Sequence, residues 1–453
     1  MRYINNYKEY IKNIVKDKNF KYYINTMGCS MNENDSMKYS GILEEMGYIK
    51  TENEANADFI LFNTCSIREN ADNTLFGRLG KIKILKQKNK NLILCIAGCM
   101  GTQERVVEKI KKSYPYVDII LGTNSMHLLS EKIYNKIKLK KKHLEYILED
   151  TEILEDVPIK YTSDTKASVS IVYGCNQFCT YCIVPFVRNR VRSRLKENII
   201  NDVKKLAENG YKEITLLGQN VNIYGKDIGE TFAGLLIDLC EINGIENIKF
   251  ISPHPHYFSD DVIDVIAKNK KIDRHIHLPL QSGSTKVLND MRRVYTKESY
   301  LDLVEKMKKK IDGVTFSTDI IVGFPTETED DFKETLDVVK KVGFDQIFMF
   351  IFSKRTLTKA YDMIDVSTEK QKSDRFMILK KLYEEILFEK NEKLVGKEFD
   401  VIVEGKSKTD DSKYVAKILG KTIIISGQDI KLDEKVKIKI TKNRLYHLDA
   451  IKV

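Results

Sequence analysis

Apolar residues along this chain follow two rhythms, and the stretch over which each one holds predicts the elements. Between residues 22 and 139, short apolar runs alternate with amphipathic stretches. Tyr22-Tyr23-Ile24 leads to Gly28-Cys29 and a helical segment ending near Gly47. Phe59-Ile60-Leu61-Phe62 leads to Asn63-Thr64-Cys65 and a helix beginning near Ser66, and Asn91 to Ala97 leads to Gly98-Cys99 and a helix over Gln103 to Lys112. Val117 to Leu121 supplies a fourth strand. Short apolar strands alternating with amphipathic helices predict a parallel sheet in an α/β domain, with its chemistry beyond the strands' carboxyl ends.

A second βα series begins at Ala167. Its predicted strands are Ser168 to Val172, Glu213 to Leu217, Ile248 to Ile251, His275 to Leu280, Thr315 to Val322 and Gln346 to Phe352, which make a partial, six-unit βα barrel over 167–390. After an amphipathic helix over Thr368 to Lys393 the period shortens to two. Lys435-Val436-Lys437-Ile438-Lys439-Ile440 alternates charge and apolar residue, so one strand face is buried and the other is a row of lysines. With strands at Phe399 to Val403 and Thr422 to Ile425, this predicts a small β-barrel over 391–453. Residues 1–21 are polar and rich in Lys and Tyr, which predicts a loosely docked extension. Residues 140–166 lose periodicity, carry mixed charge blocks and read as an interdomain linker.

A chain of 453 residues exceeds one ordinary core and suits this three-domain division. Hydrophobic residues at 42% and charged residues at 31% describe a globular chain, and no apolar run is long enough to span a bilayer. Met1 to Phe20 lacks the uninterrupted apolar stretch of a secretory signal, so a cytoplasmic location without a membrane partner is expected. In that reducing setting, clustered cysteines more often bind metal than form disulfides. The formal net charge of +10 points to a polyanionic partner only where other features agree.

Tyr173 to Cys182 reads Y-G-C-N-Q-F-C-T-Y-C. Cys175, Cys179 and Cys182 place three thiolates on one short loop with no fourth ligand, which fits an iron-sulfur cluster with one open iron better than closed structural zinc. Cys29, Cys65 and Cys99 each follow a predicted strand and would converge at one sheet edge as a second trio. Cys95 and Cys240 lie in apolar runs and read as core. Barrel chemistry sits at the strands' C-terminal ends. The cofactor-binding candidates are therefore Tyr181 in the cysteine loop, Gln219 and Asn220 after the second strand, Gln281 after the fourth, and Asp319 in the fifth. His254 and His277 read as hydrogen-bonded loop residues. Arg188, Arg190, Arg192 and Arg194 recur at every second position, and on an extended segment they would form a row suited to phosphates. Lys435, Lys437 and Lys439 are further RNA-binding candidates, since fourteen Lys or Arg stand against ten Asp or Glu over 391–453.

The cysteine loop, including the aromatic before its last Cys, resembles the radical S-adenosylmethionine (SAM) signature. Joined to the N-terminal trio, it resembles the radical SAM methylthiotransferase family along nearly the whole chain. The resemblance implies two 4Fe-4S clusters. One, on Cys175, Cys179 and Cys182, chelates SAM; the other, on Cys29, Cys65 and Cys99, carries the sulfur to be inserted. The C-terminal barrel resembles the TRAM RNA-binding module of that family. Leu216 to Tyr224 (L-L-G-Q-N-V-N-I-Y) and His277 to Ser284 (H-L-P-L-Q-S-G-S) resemble the branch that methylthiolates a prenylated adenosine beside the tRNA anticodon. The implied partners are the tRNA anticodon stem-loop, an electron donor and a sulfur source. Two alternatives stand beside this: the branch acting on threonylcarbamoyl-adenosine, against which Gly218 to Asn222 argue, and a non-catalytic two-cluster protein for electron transfer or RNA binding. The chain departs from the family at Asn189 and Thr326, where Gly is common, and at Thr356-Leu357, where Pro-Gly is common.

Overall fold

The computed structural model describes residues 2–15, 18–66, 69–140, 144–146, 153–407, 410–432 and 434–453. The first body comprises α1 (Arg2–Val15), β1 (Lys21–Thr26), α2 (Ser30–Glu45), β2 (Ile49–Lys50), β3 (Phe59–Thr64), α3 (Glu69–Lys88), β4 (Ile93–Gly98), α4 (Glu104–Ser113), β5 (Ile119–Leu121), α5 (Leu129–Leu139) and β6 (Leu144–Tyr146). The strands form one parallel sheet in the order β2-β1-β3-β4-β5-β6. Every residue of β3 and β4 is buried, because helices cover both faces of a parallel sheet. Phe59 and Leu61 face a core with Leu43 and Leu129, while Ile60 and Phe62 face one with Leu79 and Ile110.

Two expectations change here. The stretch expected to be a loose extension contains α1, which docks through Ile11 and Val15, both fully buried; their i, i+4 spacing sets them on one helix face. The stretch expected to be a linker contributes β6, paired in parallel to β5. The remainder of that reading falls partly on 141–143 and 147–152, outside the described residues.

The central body runs through β7 (Lys166–Ser170), β8 (Val172–Tyr173), α6 (Val184–Arg188), β9 (Arg192–Ser193), α7 (Lys196–Glu208), β10 (Glu213–Leu217), α8 (Phe232–Cys240), β11 (Asn247–Phe250), α9 (Asp260–Lys268), β12 (His275–His277), α10 (Thr285–Asp290), α11 (Lys297–Lys310), β13 (Thr315–Val322), α12 (Glu329–Val342), β14 (Gln346–Ile351) and α13 (Glu369–Glu392). The six predicted strands are β7, β10, β11, β12, β13 and β14. They pair in parallel as two three-stranded sheets, β11-β10-β7 and β12-β13-β14, joined at the Ile248–Ile272 bridge. The lumen stays open, with a cavity of about 1070 Å³ reaching from Ser30 beside Cys29, past His277 and Ser317, to Gly420 and Lys435 of the C-terminal body.

That last body is a closed five-stranded barrel, β15 (Glu398–Lys406), β16 (Tyr414–Ile418), β17 (Lys421–Ser426), β18 (Lys435–Asn443) and β19 (His447–Lys452), ordered β15-β16-β17-β19-β18. β16 and β19 were not predicted. The β16–β17 hairpin seats its Gly420 so closely on β12 that a Cβ there would overlap the His275 ring. Among the described residues no helix is long and apolar enough to cross a membrane.

The first and central bodies meet through α2, whose polar residues Asn32, Asn34, Asp35 and Lys38 are all buried. Asn34 Nδ2 donates to Ser168 O at 3.1 Å, and Lys38 Nζ donates to the Tyr173 hydroxyl at 3.0 Å. Because α1 completes the core beneath α2, Ile11→Ala should lower the stability of the N-terminal body by about 3 kcal/mol. Urea unfolding read by circular dichroism checks this, and an unchanged midpoint would mean that α1 is merely apposed.

Candidate active site

β8 and β9 pair antiparallel, Val172 with Ser193 and Tyr173 with Arg192, and so close the loop that carries Cys175, Cys179 and Cys182. Gly174 has φ 73°, and a Cβ there would overlap Arg190 O. Only glycine lets the loop fold back so tightly. Cys175 N donates to Asn189 O at 3.0 Å, Cys182 N to Cys179 O at 2.9 Å, and Thr180 N to Met291 O at 3.1 Å. Asn189 ends α6 at φ 64°, ψ −164°, a region that favours glycine, and Leu357 sits at φ 71°. At both positions, where the resemblance led one to expect glycine, the chain keeps a glycine-like backbone.

All eight cysteines are free thiols. Among the described residues no three His, Cys, Asp or Glu side chains are set to hold a single metal ion. The thiols nonetheless feel one another's charge. Burial, followed by the neighbouring Cys179, pushes the Cys182 thiol well up, and burial does the same to Cys175. Thiolates here need added positive charge, which iron supplies. One cation is already present: Arg293, almost fully buried, donates from Nη1 to Cys179 Sγ at 3.3 Å and from Nε to the Tyr295 hydroxyl at 3.1 Å. Arg293 was not singled out in the sequence, where it is one of two adjacent arginines after a short helix.

The three N-terminal cysteines stand just beyond neighbouring strands of the parallel sheet. Cys29 caps α2, Cys65 follows β3 and Cys99 follows β4. A Cβ on Gly28 would lie 2.8 Å from the Cys65 Cβ, and the charge of Cys29 acts on Cys99. Cys99 packs with Ile183 and Val187 in one buried cluster, which brings the two trios to neighbouring positions. Cys95 lies fully buried in β4, and Cys240 is buried at the end of α8.

The cofactor candidates divide. Asn220 is 2% exposed, and neither its Oδ1 nor its Nδ2 has a hydrogen-bond partner; buried amides are rarely left so. Gln219 Oε1 accepts from Gly174 N at 2.5 Å and therefore holds the cluster loop. Gln281, at φ 70°, ties β12 to β13 through its backbone, its N donating to Asp319 O at 2.8 Å and its O accepting from Ile321 N at 2.9 Å. The Asp319 carboxylate stands 3.5 Å from His277 Nε2. Tyr181 packs against the apolar group of Phe324 and Phe352. His254 accepts at Nδ1 from His256 N, and burial followed by the nearby Arg293 lowers its pKa to about 2, so the ring is neutral. Three thiols on a glycine-shaped loop beside an orphaned amide form a donor set that fits a 4Fe-4S cluster with SAM.

The expected arginine row does not exist. Arg188 ends helix α6 and is buried against Asp35 at 2.8 Å. Arg194 is buried between Glu155 and Asp202, the latter at 2.8 Å, and also donates to Ser170 O at 3.1 Å. Arg192 donates to Asn124 Oδ1 at 3.3 Å. Arg190 is the exposed member, stacked over Phe178 at 4.5 Å. The extended alternation assumed for the segment is broken by α6, and buried guanidiniums are paired. The lysine row is real, because Lys435, Lys437 and Lys439 are exposed on β18, but it faces acids on β15: Lys437 lies 2.9 Å from Glu398 and Lys435 lies 3.8 Å from Asp400.

Three family models match the chain: the Radical SAM superfamily over residues 169–339, Uncharacterized protein family UPF0004 over 21–122 and the TRAM domain over 392–453. Among solved structures, the chain is similar to the radical S-adenosylmethionine methyltransferase TsrM from Kitasatospora setae, with a TM-score of 0.55 and 13% identity over 76% of this chain and 75% of that one. It is also similar to the cobalamin-dependent radical enzyme OxsB, with a TM-score of 0.52 and 14% identity over 82% and 55%. Fold and cysteine loop thus define a radical SAM enzyme. The tRNA-2-methylthio-N(6)-dimethylallyladenosine synthase of Carboxydothermus hydrogenoformans is 44% identical over 435 residues, 95% of this chain and 99% of that protein. That of Clostridium botulinum strain Hall is 48% identical over 432 residues, 94% and 96%. The chain belongs to the tRNA-2-methylthio-N(6)-dimethylallyladenosine synthase family.

Asn220 yields a test of the cofactor site. Asn220→Ala should weaken SAM binding to cluster-loaded protein about tenfold, one or two hydrogen bonds' worth. Unfolding of the cluster-free protein should be no easier, since the amide has no protein partner to lose. Anaerobic titration calorimetry and urea unfolding check the two halves.

Proposed function

We propose that this enzyme replaces the hydrogen on carbon 2 of a prenylated adenosine in the tRNA anticodon stem-loop with a methylthio group. The observation that carries the reading is the seating of Cys99 on Ile183, the residue after Cys182, which makes the two trios neighbours. C–H cleavage and C–S formation must meet at one carbon, so adjacent trios suit the reaction. When bound at Cys175, Cys179 and Cys182, a 4Fe-4S cluster with SAM supplies one-electron chemistry able to break an unactivated C–H bond. Cys29, Cys65 and Cys99 would hold a second 4Fe-4S cluster, the place for the sulfur to be inserted. The balance calls for a second SAM as methyl donor to the sulfur, an external electron donor and a sulfur source, and a tRNA substrate implies work in the cytoplasm.

The chain's own residues prepare the site. Arg293, Tyr295 and Gln219 hold the cluster loop, and Asn220 offers its amide to SAM. The target base has to leave the anticodon stack to enter the lumen. On β14, Phe348 and Phe350 share a face and are 42% and 49% exposed, with the Phe348 ring 5.9 Å from that of His277. Apolar rings left open beside a lumen suit an apolar tail. Lys435, Lys437 and Lys439 with the exposed Arg190 are the proposed phosphate contacts.

Burying most of a dimethylallyl group contributes about 3 kcal/mol, so kcat/KM on prenylated tRNA should exceed that on unmodified tRNA about a hundredfold. Equal turnover of the two would remove the prenyl requirement. Changing Lys435, Lys437 and Lys439 together to Gln should weaken tRNA binding and flatten its dependence on salt by about 0.7 to 0.9 per lost phosphate contact, while reductive SAM cleavage is unchanged. An unchanged salt slope would show that Glu398 and Asp400 already satisfy the row.

A further inference from the structure

Arg188 lies six positions beyond Cys182, on the short helix that leaves the cluster loop, yet its guanidinium belongs to the other trio. It is 6% exposed. Its Nη2 lies 2.8 Å from Asp35 Oδ2 and 3.3 Å from Asn32 Oδ1, both on α2 of the N-terminal body. Its charge acts on both Cys99 and Cys29. Asn32 extends the network, because its Oδ1 lies 3.4 Å from Cys29 Sγ and its Nδ2 donates to Thr64 O, beside Cys65, at 2.8 Å. Val187 and Ile183 of the same segment pack on Cys99, and Val187 O accepts from Thr123 Oγ1 at 2.7 Å. One guanidinium and one amide thus touch the surroundings of all three N-terminal cysteines, and the guanidinium arrives from the radical SAM loop.

We infer that Arg188 is a positioning residue for the N-terminal trio, which it reaches from the radical SAM loop to orient Cys99 and to set the reduction potential of the group held there. The inference rests on the proposed second cluster at Cys29, Cys65 and Cys99. A buried cation beside the ligand sulfurs stabilises the more negative, reduced form of a cluster and raises its potential. The same contact makes the N-terminal site complete only when the cluster loop is docked. Arg293, which follows α10, stands beside Cys179 at the other trio, so each trio has a buried guanidinium near it.

The test uses the full chain with Cys175, Cys179 and Cys182 changed to Ala, so that any remaining iron reports the N-terminal trio alone. If this parent binds no iron, the second-cluster reading fails, and this inference with it. If the parent holds a cluster, its midpoint potential is compared with those of R188Q and R188K in the same background by anaerobic redox titration. R188Q should disfavour reduction at least tenfold, about 59 mV for one electron, and R188K, which keeps the charge, should recover part of the shift. Loss of iron from R188Q with retention in R188K supports the same role. An unchanged potential in an iron-replete R188Q overturns it. So does loss of iron from both variants together with early thermal unfolding, which would make Arg188 a prop for domain packing alone.

Discussion

The arrangement depends most on a buried ion pair, Asp35 with Arg188 at 2.8 Å, set in the polar face of α2. A helix that buries Asn32, Asn34, Asp35 and Lys38 against another domain gains little from hydrophobic area at that face. What it gains is specificity, since buried polar groups cost free energy unless each meets its partner. Ser168, Tyr173 and Arg188 are those partners. Rotating one body against the other would strand a charge, and breaking such a pair costs about 3–5 kcal/mol. Gly41 adds a steric condition, because a Cβ there would run into Pro158. The relative placement of the two cysteine trios follows from this interface.

Charge also governs the trios themselves. Burial pushes the Cys99, Cys175 and Cys182 thiols up, so an apolar wall alone would keep them protonated and inert. The chain answers with Arg188 near Cys99 and Arg293 beside Cys179. Asn220 carries a cost of the same kind: its buried amide has no hydrogen-bond partner, which is the ground for proposing it as a ligand contact.

Basic residues divide by burial and not by their prominence in the sequence. The four-arginine alternation at 188–194 looks like a phosphate row, yet Arg188 and Arg194 are interior and paired, and Arg192 is tied to Asn124. The less conspicuous lysines of β18 face outwards, though Glu398 and Asp400 moderate them.

Sequence alone determined what is local and periodic. The C-x3-C-x2-C loop, the strand-then-cysteine pattern that gathers Cys29, Cys65 and Cys99, the six βα units and the alternation of β18 all depend on neighbours a few positions away, and each is legible as spacing. Tertiary structure decided what depends on distant partners. The edge strands β2 and β6 and the barrel strands β16 and β19 form because an existing strand offers its unpaired edge, not because their own pattern demands it. α1 reads as polar until Ile11 and Val15 meet the sheet's core. Arg188 becomes interior because α6 carries it to Asp35, Arg194 because the chain after β9 brings it between Glu155 and Asp202, and Arg293 acquires its role only through a thiol more than a hundred positions away. Burial and charge pairing are properties of the folded whole, and spacing along the chain carries no record of them.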